Sequence, residues 1–328
     1  MTETETKKPN WRSRAYLVIA PAYLLLIYGL PSVACLGLHS SLAGLGSAWT
    51  YLSVFLLPGI WITSFLVIAG TLSLAHQHAV RAGRFPRDLG SSLYFHRRLY
   101  GLCWTSVYYN SPAYMVCLAV PPLKRVTFRL FGYRGDMDFT VYPDTWIRDL
   151  PLLRFERGVY VSNKATIGTN IVSSSGDLLV GEVTLKAGAL VGHLAMLAPG
   201  VTLAEGAEVG VGVAVGINSS LGPRAFVGPA ATIEHGVQLG KATRIGACCY
   251  VASGTSVPDG ARINSGSVLR RQRGMKAESF REITLVQRNE HGGPLSPAHR
   301  YTEPRDIDRG FGESESTTAK YSNSGSQP

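Results

Sequence analysis

The stretch Val209-Gly210-Val211-Gly212-Val213-Ala214-Val215-Gly216-Ile217-Asn218-Ser219-Ser220-Leu221 decides the fold. Val209, Val215 and Leu221 stand six apart, and the spacing continues in both directions. Upstream lie Val161, Ile167, Leu179, Leu185, Val191, Leu197 and Leu203; downstream lie Val227, Ile233, Leu239, Ile245, Val251, Val257, Ile263 and Leu269. Only Ser173 interrupts the series. A period of six matches neither a 3.6-residue helix nor a simple alternating strand, and it marks a parallel β-helix in which each hexapeptide is one flat side of a prism. The aliphatic residues then fill the axis. The glycines that follow many of them (Gly168, Gly192, Gly210, Gly216, Gly222, Gly228, Gly240, Gly246) are expected at the corners, where an absent Cβ eases the turn.

The chain has 328 residues, 45% of them hydrophobic, and a formal net charge of +10. The placement of charge is more informative than its total. No Asp, Glu, Lys or Arg occurs between Ala15 and Val80, and that span holds two apolar runs, Ala15 to Leu38 and Thr50 to Ala75. Each exceeds the roughly 20 residues that cross a bilayer, so the sequence predicts a transmembrane hairpin. Lys7, Lys8, Arg12 and Arg14 precede it, Arg81, Arg84, Arg87, Arg97 and Arg98 follow it, and the Ser40 to Ser47 turn has no positive charge. By the positive-inside rule the N-terminus and the β-helix domain are cytoplasmic, making this a multi-pass membrane protein. The arginines beside the span suit anionic lipid headgroups better than nucleic acid, for which no motif is present. Cys35, Cys103, Cys117, Cys248 and Cys249 show no metal spacing, and the adjacent Cys248 and Cys249 would point to opposite sides of their strand.

These features divide the chain into a polar tail (1–14), the membrane hairpin (15–75), a basic, aromatic juxtamembrane and lead-in segment (76–154), the β-helix (155–269) and a polar tail (270–328) with the composition of disorder. The apolar stretch from Ala113 to Leu123 is too short to span, although a third membrane segment around 108–123 stays open. A short piece, Phe280 to Val286, is expected to dock on the last coil.

The hexapeptide series resembles the left-handed β-helix acyltransferases. That resemblance implies three hexapeptides per coil, hence about six coils, which at ~4.8 Å per strand form a column roughly 29 Å tall. A second likeness lies outside the coils. The hairpin, then Gly83-Arg84-Phe85-Pro86, Arg97-Arg98, Arg129-Leu130-Phe131-Gly132-Tyr133 and Asp149-Leu150 resemble the membrane-linked acyltransferase-like units at the C-terminal end of poly-lysine-synthetase-type nonribosomal peptide synthetases. Those units follow a Leu-x-x-His context with an aromatic-acidic pair, whereas Leu190-Val191-Gly192-His193 continues into Leu194, Ala195 and Met196.

The resemblance implies an acyl- or aminoacyltransferase that moves an acyl group from a thioester to an amine or hydroxyl. The donor would be coenzyme A, or phosphopantetheine on a carrier protein acting in trans. It further implies a homo-oligomer, a trimer first and a dimer second, with one histidine as general base. Two histidines fall within the coils, His193 and His235. At eighteen residues per coil, Val211, Pro229, Ala247 and Ser265 stand above His193, beside the column Gly192, Gly210, Gly228 and Gly246. This small-residue track suits a pantetheine arm, so His193 is the preferred base, with Gly192, Gly210, Gly228, Gly246, Ala247 and Ser265 as donor-binding residues. His235 is the alternative, because Ile217 stands in its column. Glu182, Asp177 and Glu234 are candidate orienters; Asn163, Asn170 and Asn218 are candidate acceptor ligands or turn caps. No metal is expected, because two coil histidines fall short of a zinc ligand set. The rival class is a non-catalytic scaffold of a membrane biosynthetic complex.

Overall fold

The computed structural model describes residues 11–270. The expectations for the outermost N-terminal residues and for the tail beyond 270, including docking around Phe280 to Val286, lie outside the described residues.

The chain begins with α1 (Trp11–Leu24), which passes through a π-turn at Leu25–Gly29 into α2 (Leu30–Ala43), and returns as α3 (Ser47–Leu74). The continuous helix Trp11–Ala43 and α3 have peak mean hydropathies of 1.9 and 2.2. Both are long and apolar enough to cross a membrane. Only 11% and 22% of those apolar windows are buried inside the molecule, so most of that surface faces outward rather than into a protein core. Pro31, which has no N–H to donate within this continuous helix, follows directly on the π-turn.

The column is a three-sided parallel β-helix. Its three faces carry seven, seven and six strands. The first face runs from Phe139–Val141 to Arg262–Ile263, the second from Trp146–Ile147 to Val268–Leu269, and the third from Leu153–Phe155 to Ser256–Val257. From the third coil upward, paired residues are eighteen apart, as with Val191↔Val209 and Val209↔Val227. The axial residues Val191, Val209, Val227, Ile245, Leu197 and Val215 are at most 1% exposed. Cys249 is buried and Cys248 exposed, but not by strand alternation: both precede the strand Tyr250–Val251, and Cys248 is a corner residue with φ of 55°.

The column has about seven turns rather than six. Residues 139–155 form an additional first coil without the regular hexapeptide series, because aromatic side chains fill its end. Trp104, Phe128, Phe131, Tyr133, Phe139 and Phe155 make a continuous edge-to-face cluster between helices α4 (Ser92–Tyr109), α5 (Ser111–Ala119) and α6 (Pro121–Leu130) and that coil. Trp104 Nε1 donates to Ile147 O at 2.7 Å, fixing the cap on the second face. The nine-residue α5 is too short to span a bilayer.

Ser173 marks more than a lapse in the series. Across this lapse, pairing jumps by thirty residues, as in Tyr160↔Leu190 on the first face and Leu153↔Val183 on the third. The extra twelve form an antiparallel hairpin, Asn170–Val172 with Leu178–Val180, joined on its outer edge by Gly83–Phe85. Leu179 therefore belongs to the hairpin, opposite Arg84 and Ile171, and not to the axis. Twelve is twice six, so the insertion leaves the apparent phase intact.

The corner glycines also differ from expectation. Positive φ occurs three residues after the aliphatic position, at Gly188, Gly200, Gly212 and Leu194, not at the glycine directly following it. The latter is required by close stacking. A Cβ on Gly192 would lie 2.7 Å from the carbonyl carbon of Gly210, and one on Gly210 would lie 2.8 Å from Val227 O.

Candidate functional site

His193 lies at the corner between the first and second faces in the third coil, after the strand Leu190–Val191. Asn163, thirty residues earlier and one coil below, carries the carbonyl Oδ1 that meets His193 Nδ1 at 2.9 Å. A carbonyl oxygen accepts only, so Nδ1 holds the proton and Nε2 is left with a free lone pair, the form a general base needs. Asn163 is thus an orienter of this histidine. The surrounding surface is apolar and exposed, with Leu190, Leu194, Met196 and Val211 between 39% and 54% accessible.

The expected donor track beside His193 is not an open groove. Gly192, Gly210 and Gly228 direct their missing Cβ positions against the backbone of the next coil at 2.7–2.8 Å, and Gly246 faces Ser265 in the same way. Ser265 Oγ accepts from Ala247 N–H at 3.0 Å, which closes the top of the column on itself. These residues are brought together by stacking, and what they share is packing.

His235 lies at the opposite edge of the second face, two coils further along, after Thr232–Ile233. Its Nδ1 accepts from Ile217 N–H at 2.9 Å. With that lone pair engaged, the neutral ring carries its proton on Nε2 and offers a donor. Ile217, expected to obstruct this column, instead orients the ring through its backbone. A Cβ on Gly216 would approach His235 N at 2.6 Å and Nδ1 at 2.7 Å, so glycine is what lets the ring lie there.

A cavity of about 320 Å3 ends at His235 and Glu234. Its floor is the outer side of the second face, with Met196, Ala214 and Thr232, and its wall is Asn170 and Ile171 of the hairpin. The lining is mainly apolar. The hairpin wall is held from below by a buried polar knot. Asp149, fully buried with φ of 55°, accepts from Thr169 Oγ1 at 2.7 Å, from Asn170 Nδ2 at 2.8 Å and from the Arg97 guanidinium. Burial pulls the Arg97 pKa down while Asp149 opposes the shift, the signature of a pair desolvated together. Asn170 is therefore a wall residue whose amide serves structure.

The candidate orienters are engaged elsewhere. Asp177 pairs with Arg84 at 2.9 Å and Glu182 with Arg154 at 3.2 Å. Glu234 accepts from Ser253 Oγ at 2.6 Å and Tyr250 OH at 2.8 Å, and these bonds hold its carboxyl below the usual range. His193 and His235 stand on opposite edges of one face and do not converge within the chain. Among the described residues no group of three or more His, Cys, Asp or Glu is arranged to hold a metal ion.

The Asn170–Ile171 wall was missed by reading the sequence. Its signal was present in Ser173-Ser174-Ser175-Gly176-Asp177, a run of turn-forming residues where the repeat lapses.

No family model matches the chain, and no curated protein matches it. Among solved structures, it is similar to the acetyltransferase domain of PglB from Neisseria gonorrhoeae in complex with acetyl coenzyme A, at 19% identity over 44% of this chain and 65% of that one, with a TM-score of 0.33. A mutant of perosamine N-acetyltransferase from Caulobacter crescentus in complex with CoA and GDP-perosamine matches at 18% identity over 45% and 59%, with a TM-score of 0.23. Serine acetyltransferase isoform 3 in complex with cysteine, from Entamoeba histolytica, matches at 12% identity over 76% and 74%, with a TM-score of 0.19. The chain spans less than two thirds of the length of the first two structures.

Proposed function

We propose that this protein is a membrane-anchored acyltransferase that moves an acyl group from a thioester on coenzyme A, or on a carrier protein in trans, to an amine or hydroxyl acceptor. The observation that carries the reading is the cavity on the second face, walled by the hairpin and ending at His235. An apolar slot closed by one polar ring suits a pantetheine arm and its thioester. His235 Nε2–H donates to the thioester carbonyl oxygen as the acceptor attacks. When the tetrahedral adduct collapses, the carbon–sulfur bond breaks and the departing thiolate takes the proton that the attacking nitrogen or oxygen gives up, while Nε2–H keeps its hydrogen bond to the carbonyl oxygen. The ring ends as it began, and thiol and acylated acceptor are the products.

A second reading keeps His193 as base, favoured by the tautomer that Asn163 imposes. It needs a donor site outside the cavity, which the exposed apolar patch around His193 would supply if a second copy covered it. That patch also supports a homo-oligomer, a trimer first. The two long apolar helices support an anchored column at a membrane surface, and the arginine distribution supports the cytoplasmic side.

The test is release of free thiol by the detergent-solubilised chain given acetyl coenzyme A and a panel of amines and alcohols. Thr232→Trp, on the floor of the cavity, abolishes release, while Ala247→Trp, outside it, leaves release intact. Loss with Ala247→Trp alone moves the donor to the His193 side. No thiol release with coenzyme A or carrier-bound donors makes the protein a scaffold.

A further inference from the structure

Five arginines follow the second membrane-length helix, and the fold separates them. Arg97 is buried against Asp149, Arg84 pairs with Asp177, and Arg81 lies over the Phe85 ring. Arg87 and Arg98 instead line a cavity of about 600 Å3. Ser13 and Tyr94 add hydroxyl-bearing side chains to that lining, with Leu89 and Asp88 beside them. The Asp88 carboxylate is turned to its own loop, where Oδ1 accepts from Gly90 N–H at 2.9 Å. Arg98 also stacks over Tyr16 of α1, 5.6 Å from the ring centre.

The position of this cavity is its most telling property. Ser13 belongs to the first turn of α1, the start of a helix long enough to span a bilayer, and Arg12 Nη1 donates to Gly90 O at 3.1 Å, tying that start to the Arg87–Gly90 loop. The cavity therefore opens where a membrane surface would be. Its far wall is Gly176, at the tip of the same hairpin whose base, Asn170 and Ile171, walls the cavity at His235. Six residues separate Asn170 from Gly176, at most about 20 Å of extended chain.

We propose that Arg87 and Arg98 bind the phosphate headgroup of a membrane lipid, and that this lipid is the acyl acceptor or carries it. Two guanidinium groups lining one cavity, with hydroxyls beside them, match a phosphate in charge and hydrogen-bonding capacity. A headgroup extending along the hairpin from Gly176 reaches the cavity where His235 lies. The binding step stands independently of the chemistry; only the identity of the acceptor rests on the acyl-transfer reading.

The test is titration of the detergent-solubilised full chain with a fluorescent short-chain phosphatidic acid, with the matching phosphatidylcholine as control. The expected result is preference for phosphatidic acid, lost by about tenfold or more in Arg87→Gln/Arg98→Gln. Tyr16→Leu, which removes the stacking partner and keeps both charges, retains the preference. His235→Ala also retains it, while losing transfer, so failure of the transfer reading leaves the binding site standing. Inorganic phosphate competes only weakly if the lipid is the ligand. Equal affinity for the two lipids, an unchanged affinity in the double variant, or displacement by inorganic phosphate at concentrations matching the lipid overturns the proposal. So does an acyl acceptor that is water-soluble and transferred to at the same rate by the double variant.

Discussion

The two edges of the second face look alike in sequence and differ in what surrounds them. At His193 the chain has the ring chemistry of a base, a carbonyl partner that fixes the tautomer, and an exposed apolar surface. At His235 it has a cavity, a hairpin wall and a ring whose Nδ1 is taken by a backbone amide. The lesson is that coil stacking places side chains but does not enclose them. Enclosure comes from the element that leaves the repeat, and among the described residues that hairpin stands at the His235 edge.

The widest test of the comparison concerns the axis both edges share. Val227→Asp buries a carboxylate with no partner and costs several kcal/mol, enough to unfold the column, whereas Arg224→Asp, at an exposed corner, is mild. Chemical denaturation of the two variants checks this. Equal tolerance would mean that the column is not held by its axial residues.

A matched pair of glycine substitutions separates packing from function. Gly216→Ala and Gly210→Ala both press a methyl against the next coil, at 2.5 Å from Glu234 C and 2.8 Å from Val227 O. Each destabilises by about 1–3 kcal/mol. Only Gly216→Ala displaces His235, so transfer by the folded protein falls roughly 100-fold there and stays near the unmodified rate in Gly210→Ala. Steady-state thiol release normalised to folded protein measures the difference, and equal losses would remove His235 from the site.

The smallest effect tests the helical cap against the column. His76, just beyond α3, accepts or donates within a cluster with Tyr23 at 2.9 Å and His96 at 2.8 Å, with the His78 ring beside His96. Burial, then the neighbouring His96 and His78, push its pKa down to about 4. The folded state therefore binds fewer protons than the unfolded state, whose histidine titrates near 6.5. The stability of the helical part is full above that value and declines as the pH falls toward 4, whereas the column loses the contribution of its depressed Glu156 and Glu234 carboxyls only at the lower end of that range. Thermal unfolding followed separately by helical and strand signals over that range checks it, and His76→Asn makes the slope shallower, the remainder belonging to His96, whose pKa burial, His78 and Arg12 also push down.

Periodicity explains how much was legible from sequence. The axis, the faces and the membrane-length helices are each written as repeated or sustained apolar character, and they emerged directly. Leu179 was misplaced because a twelve-residue hairpin equals two hexapeptides in length and keeps the phase. The aromatic cap around Trp104 and Phe131 was read only as a basic, aromatic segment, since its contacts are long-range and follow no period. The resemblance motifs Arg97-Arg98 and Asp149-Leu150 meet in space as the Arg97–Asp149 pair, a juxtaposition that spacing alone does not reveal. For the site, both histidines were found, but stacking arithmetic counts neighbours within the column and is blind to a wall supplied by Asn170 and Ile171. The glycine column drew attention to His193 because absent side chains look like open space, whereas here the next coil fills it.

The most direct measurement is single-turnover acyl transfer from a thioester by His235→Ala and His193→Ala, each confirmed folded. The account predicts a loss of ~100-fold to 1,000-fold for His235→Ala, the usual worth of a donor to the developing oxyanion, and less than about tenfold for His193→Ala. A large loss for His193→Ala with His235→Ala near the unmodified rate would contradict it, and would place the chemistry on the edge where Asn163 leaves Nε2 free.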